Sequence, residues 1–136
     1  MYKIIFLLLT VIFSLPTLAR SPAPENVEIY FISPQDGEKT SNPVVIRFGL
    51  KNMGIAPAGI DSPNTGHHHL LIDTELPNLD FPIISDEKHR HFGKGQTETT
   101  LDLPPGQHTL QLLLGDHTHT PHDPEVKSRK IIITIE

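Results

Sequence analysis

Proline is spread so widely along this chain that a helical bundle is excluded. The 136 residues include 13 prolines, and a proline inside a helix removes a backbone hydrogen bond and clashes with the preceding turn. Hydrophobic residues make up 37% and charged residues 20% of the chain, which is sufficient to build a packed core. The composition therefore predicts one folded domain that is not helical.

Short apolar runs separated by turn residues predict an all-β fold. Seven runs have the length and spacing of strands in an antiparallel β-sandwich of the immunoglobulin-like or cupredoxin-like kind. Pro82 would confine the fourth run to a sheet edge, because proline cannot donate a hydrogen bond to a neighbouring strand. The predicted strands are Val27–Ile32, Val44–Leu50, Leu70–Asp73, Phe81–Ile84, Thr97–Leu103, Gln107–Leu114 and Lys130–Ile135.

The first 19 residues have the pattern of a secretory signal peptide. Lys3 precedes an uncharged segment of twelve residues, Ile4–Leu15, and Thr17-Leu18-Ala19 has the small residues of a cleavage site. Such a segment is shorter than the roughly 20 residues needed to span a bilayer. We therefore expect a periplasmic or secreted protein, with a mature chain that starts at Arg20, an extended lead-in over residues 20–26 and one domain over residues 27–136.

Net charge and cysteine content narrow the classes of function. The net charge is −5, which argues against binding to nucleic acid or to an anionic membrane surface. The chain has no cysteine, so thiolate zinc sites, iron–sulfur clusters and blue copper centres are excluded. A protein partner or a homo-oligomer remains compatible with this composition.

Histidine is the residue type that points to a function. All nine histidines lie between His67 and His122, and all but His108 fall within or beside long connections between predicted strands. Because alternate residues of a strand point to one face, an H-x-H pair can direct two imidazoles at one ion. Alternation puts His67 and His69 on one face and His68 on the other, and the same spacing recurs in H-R-H (His89 and His91) and H-T-H (His117 and His119). His108 has the same parity as Leu110 and is interpreted as a packed or turn-satisfied histidine instead.

The predicted site is a metal centre with imidazole ligands. Nitrogen ligands with nearby carboxylates suit copper(II) or zinc, and copper(II) binds more tightly than zinc in the Irving–Williams order. The expected ligands are His67, His69, His89, His91, His117, His119 and His122, and the residues expected to orient them are Asp116, Asp123, Gln96 and Glu98.

A predicted hairpin brings the H-R-H and H-T-H segments to the same end of the sandwich. Pro104-Pro105-Gly106-Gln107 has turn chemistry, so Leu101 is expected to pair with Leu110 across an antiparallel hairpin. Continuing that ladder outward places the two histidine pairs side by side. The sequence does not fix the strand order, so the position of His67–His69 relative to this end stays open.

Longer segments resemble a family of small exported bacterial proteins that is defined only as a domain of unknown function. They are Met53–Gly59, Gly66–Asp73, His91–Thr99 and Leu103–Pro124, and together they extend the resemblance over nearly the whole mature chain. The family implies no established activity. The resemblance implies a polar signature of His67, His68, His69, His91, His119, His122, Gln96 and Glu98.

A second resemblance is to periplasmic copper-resistance proteins with a cupredoxin-like sandwich. Ser33–Gly37 and the segment Pro104–Leu110 are similar to segments of those proteins. They use a mature N-terminal histidine as a copper ligand, whereas the predicted mature terminus of this chain is Arg20. The resemblance therefore does not extend to that ligand.

Three functional hypotheses follow from the sequence. The first is an exported, non-catalytic metal-binding protein that acts as a buffer, carrier or sensor of copper(II) or zinc. The second is a β-sandwich interaction module whose histidines are structural and bind no metal. The third is a metalloenzyme, which has the least support because no general base stands out.

Overall fold

Two β-sheets packed against each other make up residues 19–136, which are the residues that the computed structural model describes. This confirms the predicted all-β sandwich, while the predicted signal segment lies outside the described residues except for Ala19. No helix occurs in residues 19–136, and the strands are β1 (Glu28–Ser33), β2 (Lys39–Thr40), β3 (Val44–Lys51), β4 (Gly54–Ile55), β5 (Thr65–Ile72), β6 (His89–His91), β7 (Glu98–Leu101), β8 (Gly106–Gly115) and β9 (Ile131–Ile135).

Strand β5 holds a central position in the larger sheet. The smaller sheet has the order β1-β3-β7, and the larger has the order β2-β9-β8-β5-β4, with β6 also paired to β5. β5 is antiparallel to β8 along one edge. Its other edge pairs with β4 near the start of the strand and with β6 further along. Both edges of β5 are therefore hydrogen-bonded.

Apolar side chains cover both faces of β5 and β8. On the inner face, Leu70 and Leu112 are fully buried in the main core, together with Phe48 of the smaller sheet. On the outer face, Leu71 and Leu113 form a second, smaller core with Ile83, which belongs to the connection between β5 and β6. The long connection thus acts as a third layer over the outer face of the larger sheet.

The prediction of a hairpin between β7 and β8 is wrong. β7 pairs with β3 in the smaller sheet, where Leu101 lies opposite Val44, whereas β8 lies between β5 and β9 in the larger sheet. Pro104-Pro105 has no backbone N–H groups to continue a ladder. The side chain of Asn42 instead donates to the carbonyl of Leu103 and accepts from its N–H. The turn residues therefore mark a crossing between sheets.

The strand expected at Phe81–Ile84 is also wrong, because this segment is irregular. Ile83 points into the second core, while Phe81 and Ile84 are exposed. The N–H of Ile83 donates to the carbonyl of His119 at 2.9 Å. The segment is thus anchored to another connection and not to a strand edge.

A histidine–carboxylate pair joins β8 to the end of β5. The Nδ1 of His108 lies 2.7 Å from Oδ2 of Asp73, and its Nε2 lies 2.7 Å from the carbonyl oxygen of Pro104. Burial alone would lower the pKa of His108, but the hydrogen bonds to Asp73 and Pro104 raise it overall. Both ring nitrogens are thus satisfied locally, in agreement with the interpretation from sequence.

We expect Asp73→Asn to lower the free energy of unfolding by about 1 kcal/mol near pH 6, a small value for a charged hydrogen bond because Asp73 is 41% exposed. A histidine whose pKa is raised in the folded state, as that of His108 is, stabilises the fold fully below its unfolded pKa of about 6.5. This stabilisation is lost as the pH rises through the folded-state pKa. Urea unfolding at pH 6 and pH 9 should therefore show a smaller effect at pH 9. Equal losses would contradict a charged pair.

Candidate metal centre

Three consecutive histidines occupy the middle of β5 and are almost completely buried. His67, His68 and His69 are exposed by no more than 1%. The alternation of the strand directs His67 and His69 to the outer face, where their ring centroids lie 4.8 Å apart. His68 points to the inner face and packs against Phe48, with ring centroids 5.0 Å apart. The alternation predicted for these residues is confirmed.

Two further imidazoles reach the outer face from other elements. His91 lies opposite His69 in the β5–β6 ladder, and their ring centroids are 5.1 Å apart. His119 belongs to the turn that follows β8, and its ring centroid lies 4.7 Å from that of His91 and 5.0 Å from that of His67. We call His67, His69, His91 and His119 the histidine cluster.

The spacing of the ring nitrogens is close to what a metal ion requires. One nitrogen from each of the four rings lies within 4.8 Å of the other three, and Nε2 of His67 is 3.1 Å from Nδ1 of His119. A tetrahedral zinc site with Zn–N distances of about 2.0–2.1 Å separates its nitrogens by about 3.3 Å. A modest contraction of the histidine cluster would therefore give four-coordinate geometry.

Burial keeps three rings of the histidine cluster, those of His67, His69 and His91, neutral. Desolvation and the neighbouring imidazoles lower the pKa of His67 to about 4 and that of His69 to about 2. The pKa of His91 is lowered by the same two causes. Neutral imidazole is the form that coordinates metals. At neutral pH no proton has to leave these three rings before an ion binds.

Several nitrogens of the histidine cluster lack a hydrogen-bond partner. They are both ring nitrogens of His69, Nδ1 of His67 and Nε2 of His91. A buried polar atom without a partner costs about 1–3 kcal/mol. A metal ion would supply a partner for one nitrogen of each ring.

Two glycines provide the space that the rings occupy. A Cβ atom at Gly93 would lie 2.3 Å from the ring of His91, and one at Gly115 would lie 2.7 Å from the ring of His69. Neither glycine has a positive φ, so it is space and not backbone conformation that requires glycine there. These residues were not predicted, although each lies close in sequence to a predicted ligand.

A tight turn after β8 fixes the position of His119 within the histidine cluster. Oδ1 of Asp116 accepts from the N–H and the hydroxyl of Thr118 and from the N–H of Thr120. His119 has a φ of 67°, which is uncommon for a residue with a side chain. Burial would raise the pKa of Asp116, but hydrogen bonds from Ser21, Thr118 and Thr120 lower it overall. The carboxylate is thus ionised and fixes the turn.

The other three predicted ligands lie outside the histidine cluster. His89 shares a face with His91 but lies about 6.6 Å further along the strand, opposite Leu71. His117 is in a turn, where the period of two does not apply. Their contacts are Nδ1 of His89 to Asp86 at 2.8 Å, Nδ1 of His117 to Asp61 at 3.6 Å and Nε2 of His122 to the carbonyl of Thr65 at 3.2 Å.

Of the four residues expected to orient ligands, Asp116 is the one in contact with the turn that carries His119. Glu98 pairs with Arg47 on the smaller sheet. Gln96 accepts from the N–H of Lys94, and Asp123 is linked through its backbone to residues 21 and 23.

The family model of a domain of unknown function, DUF4399, matches residues 46–136. The chain belongs to this family. The DUF4399 region contains the whole histidine cluster and both glycines that make room for it. No curated protein and no solved structure matches the chain at a significant level.

Residues 19–136 contain no helix that is long and apolar enough to cross a membrane.

We expect Gly115→Ala to lower the free energy of unfolding of the protein by about 1–3 kcal/mol, because the added methyl group would overlap the buried ring of His69. Gly54→Ala is the matched control, since its Cβ would meet a methyl group of Thr65 at 3.3 Å. The control should change stability by less than about 0.5 kcal/mol. Chemical denaturation measures both, and similar losses would contradict a special role for Gly115.

The metal-free protein should lose stability as the pH falls below about 6.5. His67 has a folded-state pKa of about 4, so the unfolded chain binds its proton first and is favoured between these pH values. Each such group lowers the free energy of unfolding by up to about 1.4 kcal/mol per pH unit. Denaturation between pH 7 and pH 5 should show a shallower slope for His69→Gln than for the wild type, whereas parallel slopes would contradict the buried neutral state.

Proposed function

We propose that this protein is an exported, non-catalytic metal-binding protein that holds copper(II) or zinc in the histidine cluster. The observation that carries the proposal is the approach of four imidazole nitrogens to within 4.8 Å of one another. Export is supported by the signal-like pattern of the first 19 residues. A role as a buffer, carrier or sensor in the periplasm or outside the cell fits both features.

The ligand set favours borderline transition metals. All four candidate ligands are imidazole nitrogens, which suit zinc and copper(II) better than calcium or magnesium. Copper(II) binds more tightly than zinc in the Irving–Williams order, so affinity alone would always select copper(II). Which of the two metals the protein holds therefore depends on which one is supplied to it.

The burial of the ligands supports reversible binding. His67 and His69 are fixed in β5 and have no exposed surface, whereas His91 and His119 are partly exposed. An ion can therefore reach the histidine cluster from the side of His91 and His119. Exchange of the ion suits a buffer, carrier or sensor better than a permanently closed structural site.

One observation favours the alternative of an interaction module with structural histidines. Nε2 of His67 and Nδ1 of His119 are 3.1 Å apart and can share a hydrogen bond without a metal. Such a bond would fix the turn that carries His119. It leaves both nitrogens of His69 unpartnered, which is why the metal-binding function has the stronger support.

The decisive experiment compares two double variants that carry the same substitutions two residues apart. His91→Ala with His119→Ala removes two cluster ligands, and His89→Ala with His117→Ala is the matched control from the same segments. Calorimetric titration with zinc and with copper(II) should show binding to the wild type and the control and at least a hundredfold loss for the cluster variant. Copper EPR should show nitrogen hyperfine structure in the first two proteins only.

Metal should also stabilise the folded protein by mass action. At a metal concentration of one hundred times Kd the gain is about 2.7 kcal/mol, which should appear as a higher Tm for the wild type and the control. If the wild type binds neither metal, the interaction module becomes the better hypothesis. Equal losses in the two double variants would place the site elsewhere.

A further inference from the structure

Two connections meet over the outer face of the larger sheet, where the histidine cluster lies. One joins β5 to β6 and contains Ile83, and the other follows β8 and contains His119. They touch through the hydrogen bond from the N–H of Ile83 to the carbonyl of His119. A side chain that contacts both connections can therefore influence the position of His119, one of the two half-buried members of the cluster.

Residues 20–23, which we call the N-terminal strap, run alongside the second of these connections. The N–H of Asp123 donates to the carbonyl of Ser21 at 2.9 Å, and the N–H of Ala23 donates to the carbonyl of Asp123 at 3.2 Å. Pro22 forms a parallel bridge with Asp123. The segment expected to be a plain extended lead-in is therefore docked on the connection that carries His119.

The side chain of Arg20 reaches both connections. Its Nε donates to the carbonyl of Pro121 at 3.0 Å, and its Nη2 donates to the carbonyl of His122. Its Nη1 lies 3.9 Å from Oδ1 of Asp80 in the other connection. The Arg20 side chain is only 16% exposed, so these contacts are made by a largely buried guanidinium.

Ser21 connects the strap to the turn of His119. Its hydroxyl donates to Oδ2 of Asp116 at 2.6 Å. The other carboxylate oxygen of Asp116 holds the N–H groups of Thr118 and Thr120, the two neighbours of His119. A single carboxylate therefore links the strap to the unusual backbone conformation of a candidate ligand.

We propose that the N-terminal strap positions His119 and controls how fast a metal ion leaves the histidine cluster, with Arg20 and Ser21 as the positioning residues. The inference rests on the proposed metal-binding function. Docking of the strap and binding of an ion both favour the same arrangement of the His119 turn. The two events must therefore strengthen each other to the same extent.

The test measures metal release from wild type, Arg20→Gln and Ser21→Ala, each loaded with zinc and mixed with excess chelator. Loss of one hydrogen bond to a charged group should increase the dissociation rate about tenfold. Copper EPR of the two variants should show altered nitrogen hyperfine structure, because His119 is no longer held in place. Ser21→Thr keeps the hydroxyl and should restore the wild-type rate and spectrum.

Arg47→Gln is the control for the loss of an arginine contact, because Arg47 pairs with Glu98 on the smaller sheet and not with the strap or the His119 turn. It should release zinc at the wild-type rate. Intact masses establish that all proteins begin at the same residue. Wild-type release rates and spectra in Arg20→Gln and Ser21→Ala would overturn the proposal.

A second measurement separates this inference from the proposed function. Amide exchange of residues 117–122 is followed in metal-free protein, where the strap alone holds the turn. Faster exchange in Ser21→Ala than in Ser21→Thr supports positioning of His119 by the strap, and equal exchange overturns it. Failure of the wild type to bind zinc or copper(II) would instead reject the metal-binding function.

Discussion

Strand β5 has hydrogen-bonded neighbours along both edges and is covered on both faces, and its residues from Gly66 to Ile72 are all buried. Three of them are histidines, and an imidazole in such a place stays neutral because water cannot solvate its charge. His67 and His69 meet other imidazoles on the outer face, whereas His68 meets Phe48. The position of the cluster and the need for neighbouring loops to cover it both follow from this burial.

Local patterns predicted the parts of the site that depend on one strand. Apolar runs and the alternation of β5 were sufficient for the sandwich and for the shared face of His67 and His69. They were not sufficient for strand order, because Pro104-Pro105 ends β7 equally well before a hairpin and before a crossing to the other sheet. His91 reaches the cluster through β6, a strand of only three residues with little propensity signal of its own.

Contacts between residues distant in the sequence, and the space that a glycine leaves for a neighbouring side chain, could not be predicted from the sequence. Ser21 and Asp116 are separated by 95 positions, and no local rule pairs two polar residues over that distance. The role of Gly115 could not be predicted from the sequence either, since this residue leaves room for the ring of His69. The period of two failed at His117 because it holds for strands, and this residue lies in a turn.

Asp116 offsets part of the electrostatic cost of placing a cation among the four imidazoles. Imidazole ligands carry no negative charge that could compensate the charge of a divalent ion. Placing an uncompensated charge in a low-dielectric surrounding costs free energy. Asp116 is close enough for its negative charge to raise the pKa of His67 against the lowering by burial. The same field would stabilise a metal ion held in the histidine cluster. Asp116 therefore fixes the turn of His119 and would also supply negative charge beside an ion bound in the histidine cluster.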